Sequence, residues 1–152
     1  MYQYYHNPNY DLLVIRHFND FIGAESTKSL IKVTQFLPQK HIKRLKHIII
    51  DFRQVSSATL YDTDRALHSL LHAQLAHLPS NLKLVRLYDK ANPATEILAE
   101  RVTRTLEQIT KDLLSPIEHF SVYSERDVLA LLDIPKEMLI WADGQWLPPP
   151  DS

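Results

Sequence analysis

Asp64, His68 and His72 recur every four residues, which places them on one stripe of a helix. Two imidazoles one turn apart, with a carboxylate completing the set, offer three ligands to a divalent metal. No glutamate follows His68, so this is not the metalloprotease arrangement. The same stripe borders an apolar face made by Leu67, Leu70, Leu71, Leu75 and Leu78. Histidines at such a border are explained equally well by packing against a neighbour or by meeting solvent. Metal binding at Asp64, His68 and His72 therefore stays a candidate, and no cofactor is expected.

A second group is Asp51, Arg53 and Asp89, at the carboxyl ends of two predicted strands. In an open α/β sheet that edge is where ligands bind. Asp51 and Asp89 could form a carboxylate pair, but nothing separates an acid from a base. An ion pair with Arg53 accounts for them as well. Ser56 or Ser57 beside a histidine would imitate a nucleophile and its base, yet no Gly-x-Ser-x-Gly elbow is present. The only glycines are Gly23 and Gly144, so a glycine-rich phosphate loop is excluded. Cysteine is absent, which removes disulfides, thiolate catalysis and cysteine-bound zinc, and a reducing cytoplasm suits such a chain. The basic run from Lys40 to His47 lacks adjacent aromatics or a groove-reading helix, and the formal charge is −1, so nucleic acid is not expected.

These residues need elements to hold them. The chain has 152 residues, 45% of them apolar and 23% charged, as expected of one ordinary globular domain. Leu12 to Phe18 reads as a strand, and Tyr2 to Tyr5 as a short strand before it across Asn7-Pro8-Asn9. Leu30, Ile31, Val33, Thr34 and Leu37 recur at helical spacing until Pro38. Lys46 to Asp51 is a strand, whose unbroken Ile48-Ile49-Ile50 run fits a parallel strand buried on both faces. A helix carrying the histidine stripe follows, then a strand from Leu82 to Tyr88. Asn92-Pro93 opens a third helix with a cap and a first-turn proline. Ile117 to Tyr123 is a further strand, and Ser124 with Asp127 caps a short helix. The expected fold is α/β: alternating β-α units, with a mostly parallel sheet of four or five strands covered by helices. No apolar run is long enough to span a membrane.

With that order in place, two segments resemble the STAS domain of anti-sigma-factor antagonists and the wider SEC14-like group. One is Leu12-Leu-Val-Ile-Arg-His-Phe-Asn-Asp-Phe-Ile-Gly23 followed by a helix. The other is His47-Ile-Ile-Ile-Asp51-Phe-Arg53-Gln-Val55, similar to that family's apolar strand ending in an aspartate. The resemblance covers roughly residues 10 to 134. It implies a STAS-like domain over 1–134 and a separate aromatic, proline-rich tail over 135–152. It also implies a phosphorylatable turn after the second strand, matched here by Asp62-Thr63-Asp64-Arg65 in place of Asp-Ser-Ser-Gly. Ser56, Ser57 and Thr59 lie in the connection leading to it. A phosphate at a helix N-terminus would add about −1.5 to −2 charges to a docking face. The simpler role of Asp62 or Thr63 is to cap the helix.

The implied function is a non-enzymatic cytoplasmic regulator that binds a protein, such as a kinase or a regulatory factor. Its contact surface would be Ser56, Ser57, Thr59, Asp62, Thr63 and Asp64. The alternative is a small-ligand or lipid-binding module of the SEC14-like kind. Trp141 and Trp146 in the tail carry large apolar area. They either fold back over the chain's own sheet and helices or pack on another subunit, as in a homodimer.

Overall fold

The computed structural model describes residues 1–61, 78–112, 117–139 and 145–150. The described strands are β1 (Tyr2–Asn7), β2 (Leu12–Ile22), β3 (His47–Thr59), β4 (Lys83–Leu87) and β5 (Glu118–Val122). The described helices are α1 (Glu25–Phe36), α2 (Gln39–Ile42), α3 (Pro93–Asp112) and α4 (Glu125–Leu131), with a 3₁₀ turn at Lys136–Leu139. The strands lie side by side in chain order. β1 runs antiparallel to β2, and β2 through β5 are mutually parallel. The mixed, mostly parallel α/β architecture is therefore as expected.

Strands laid down in one direction with right-handed crossovers must put their helices on one face. Accordingly α1, through Leu30 and Val33 with Leu37 just past its end, and α3, through Leu98 and Ala99, share a core with Leu13, Ile15, Ile48, Ile50, Phe52 and Leu84. The opposite face carries Leu12, Val14, Ile49, Val85, Leu87 and Val122. It is covered by Val128 of α4, by Leu132 and Ile134, and by Trp146. The Ile48-Ile49-Ile50 run thus feeds both faces in alternation, which is why it shows no polar side.

Local chemistry sets the ends. Gly23 takes φ 61°, the left-handed turn between β2 and α1 that a side chain would disfavour. Asn92 accepts the Ala94 N–H at 3.1 Å ahead of Pro93, and Ser124 accepts the Asp127 N–H at 3.2 Å. The tail returns to the sheet. Leu147 and Tyr4 exchange backbone hydrogen bonds of 3.0 and 2.8 Å along the outer edge of β1.

β2 and β3 are longer than their sequences suggest. Beyond Leu87 the sheet narrows to these two strands, because β4 pairs β3 only from His47 to Asp51. Phe18 to Ile22 pairs with Gln54 to Thr59 as a two-stranded parallel ribbon that runs on past β4. Ser56, Ser57 and Thr59, expected in a connecting loop, belong to that strand. Their polarity reflects solvent along one face of the ribbon rather than loss of extended structure.

Candidate functional site

Where the ribbon leaves the sheet, β3 carries more residues than β2. Arg16 faces Asp51 but Phe18 faces Gln54, so the ladder is interrupted at Phe52 and Arg53. Such a bulge leaves backbone groups to be satisfied by other means. Asp51, almost wholly buried, accepts the Arg53 N–H at 3.0 Å. Asn92 donates to the Arg53 carbonyl at 3.3 Å and to the Val55 carbonyl at 2.7 Å. The Arg53 guanidinium grips Asp51 twice, Nε to Oδ1 at 3.0 Å and Nη2 to Oδ2 at 2.9 Å. Its Nη1 reaches Glu125 at the start of α4, at 3.0 Å. Burial works against the Arg53 charge, but the bonds and charges of Asp51, then of Glu125, hold its pKa above the ordinary value.

Asp51 and Arg53 are therefore a clasp that closes the bulge and ties β3 to α4. Asp89, the third member of the expected ligand edge, turns elsewhere and accepts the Ala91 N–H at 2.9 Å. Asp51 and Asp89 each have their own hydrogen-bond partners, Arg53 for the one and the Ala91 N–H for the other. Asn92, which sequence reading takes only as a helix cap, also holds β3. Its long-range bonds leave no signal in local sequence.

One face of the ribbon meets water, while Phe21 and Val55 on the other are buried in the core shared with α1 and α3. Asn19, Asp20, Gln54, Ser56, Ser57 and Thr59 are exposed, and Ile22 is 55% exposed. Ser57 donates a hydrogen bond to Asp20 across the pair. A phosphate on Ser57 would meet that carboxylate and be repelled. Asp62, Thr63, Asp64, His68, His72 and Trp141 lie outside the described residues. Among the described residues, no three histidine, aspartate or glutamate side chains converge on a metal position.

Beneath the ribbon, on the face covered by α1 and α3, one aromatic ring from each strand or its end forms a row. Tyr2 leans on His17 at 6.0 Å, and His17 stacks on Phe52 at 5.4 Å. Phe52 stacks on Tyr88 at 5.2 Å, and Tyr88 meets Tyr123 at 5.9 Å. His17 Nε2 lies 3.4 Å from Ser29 Oγ, and Nδ1 lies 4.0 Å from Glu25. This imitates a serine–histidine–carboxylate order. However, His17 and Ser29 are each 1% exposed, and the serine hydroxyl donates to the Ser26 carbonyl at 2.8 Å. No nucleophile is presented to a substrate there. Burial, and to a lesser degree the chain's terminal amine, lower the His17 pKa to about 3, so the ring is neutral.

Farther along this face, Arg86 of β4 is 4% exposed, and its Nη1 donates to His119 Nδ1 at 3.0 Å. Burial lowers the Arg86 pKa and pushes the Tyr88 phenol up to about 12. Arg86 escapes a reading for chemistry because it sits in the Leu82–Tyr88 run. The available signal is a lone cation in a strand that must be buried on both faces.

Trp146 packs on the chain's own sheet. Its ring meets Tyr5 edge-on at 6.3 Å, and the Arg16 guanidinium lies 4.2 Å from its centroid. Arg16 is itself held by Gln3, at 3.0 and 2.7 Å. The basic run opens into α2 and the approach to β3, where Arg44 and Lys46 stand 3.8 and 4.0 Å from Asp11.

The fold and these clusters define a mixed α/β protein with a five-stranded, mostly parallel sheet. No protein-family model, no curated protein and no solved structure matches the chain. No helix among the described residues is long and apolar enough to cross a membrane.

Proposed function

We propose that the protein is a non-enzymatic regulatory module that acts by binding another protein through the β2–β3 ribbon. The reading draws on its resemblance to STAS domains and on one observation: a parallel pair buries Phe21 and Val55 on one face and leaves the other face to solvent. Parallel strands are ordinarily covered on both faces. Here Ile22 stands 55% exposed beside Asp20, Ser57 and Thr59. A partner that covers the ribbon would bury Ile22 and exchange water for hydrogen bonds to these side chains.

The test compares the parent chain with Ile22→Asp as bait in the native cell extract, followed by quantitative mass spectrometry. Ile22 is outside the core, so the variant should melt as the parent does. A protein retained in stoichiometric amount by the parent and lost from the variant is expected. Equal recovery of every partner by both baits would sink the proposal.

A further inference from the structure

We propose that Arg86 forms the floor of an internal oxyanion site that receives the carboxylate or phosphate of a small ligand. The argument begins with alternation along β4. Leu84 and Tyr88 point into the core shared with α1 and α3, so Arg86 between them points there too. Its registered neighbours are Ile50 on β3 and Ser121 on β5. The side chain is thus directed from the middle of the sheet toward the helical layer, with only 4% of the residue exposed.

An arginine stays charged in a protein, and a charge taken this far from water needs an anion. Arg86 is given an imidazole instead. Because the guanidinium can only donate, His119 accepts at Nδ1, and an accepting ring nitrogen brings no negative charge. Arg86 Nε is buried without a hydrogen-bond partner, and no ion pair among the described residues includes Arg86. The contrast with Arg53 is instructive. That guanidinium is less buried, yet it has two carboxylates.

The chemistry of the missing partner follows. A guanidinium presents donors in a planar fork, which matches two oxygens of one carboxylate or phosphate. Leu84, Ile50, Leu98 and Ile117 share the surrounding core, so the rest of such a ligand must be small or apolar. Tyr88 and Ser121 add hydroxyls on the same face. This site is separate from the ribbon, and the two proposals stand or fall independently.

The experiment uses the full chain dialysed into Tris chloride. Thermal melts are recorded at constant ionic strength while sodium chloride is replaced by sodium phosphate or by sodium hexanoate. One of the two probes is expected to raise the parent's melting temperature by roughly 5 °C near saturation. The same probe should shift the assigned Arg86 Nε–H resonance. Phosphate alone would identify a phosphorylated ligand, and hexanoate alone a carboxylic acid with an apolar body. Arg86→Met should lose the response. The idea is overturned if neither probe moves the melt or the Nε–H signal, or if Arg86→Met responds as the parent does. Should Arg86→Met fail to fold, the parent's Nε–H titration decides. An unmoved signal would show the charge already neutralised within the chain.

Discussion

His17 lies face to face with Phe52, ring planes 12° apart and centroids 5.4 Å apart, in the middle of a row that crosses the sheet. The stack can hold only an uncharged imidazole. The unfolded ring takes a proton below about pH 6.5, whereas the folded ring refuses it until about 3. The contribution is whole above 6.5. It falls by roughly 1.4 kcal/mol for each pH unit below that, down to the folded value. Burial lowers the pKa of His6 and His47 as well, in the same sense. His17→Phe keeps a ring in the row and removes the His17 share. The parent's denaturant midpoint should therefore fall relative to the variant's as pH drops from 7 toward 4. A constant gap between the two would contradict this account.

The Asp51–Arg53 clasp should be costly to open. Asp51→Ala strands the Arg53 N–H at the bulge and leaves a half-buried guanidinium with only Glu125. A loss of about 3 kcal/mol in urea unfolding is expected. Glu125→Gln touches the exposed end of the same chain of contacts and should cost less than about 1 kcal/mol. Equal costs would show that the clasp is not what closes β3.

Asn92 performs two tasks with one side chain. Asn92→Ala removes a helix cap and two bonds to β3 carbonyls, for an expected loss of about 2 kcal/mol. Asn92→Asp keeps the cap but faces two carbonyl oxygens with a carboxylate. It should recover none of the β3 share. Amide exchange at Val55 and Ser57 should accelerate in both variants, and unchanged protection there would separate Asn92 from the ribbon.

Trp146 is expected to act within its own chain. Trp146→Ala should lower stability by about 2 kcal/mol through lost contact with Tyr5 and Arg16. The mass measured by light scattering should not change with it. A mass that halves in the variant would move the tail to an interface between copies.

The legible part of this fold is the part governed by local pattern. Ile48 to Ile50 announces a doubly buried strand, and Asn92-Pro93 and Ser124 announce helix starts. The ribbon was illegible because Asn19-Asp20 and Ser56-Ser57 carry the chemistry of turns. They are extended only because each strand supplies the other's backbone partners and Asn92 reaches over from α3. Asp51 and Arg53 were visible as a strand-end pair, but their use in closing a bulge depends on register, which no single segment encodes. Arg86 was hidden by its neighbours: a cation among leucines and valines reads as strand until the covering layer is known.

The Tyr4–Leu147 pairing has a consequence for synthesis. Tyr4 leaves the ribosome well before Leu147, the residue that pairs with the outer edge of β1. At elongation rates of about 5–20 residues per second, that edge waits on the order of ten seconds for its partner. During this interval it offers unpaired amides and carbonyls to any neighbouring nascent chain. Crowded polysomes are thus where this protein is most exposed to pairing with the wrong molecule.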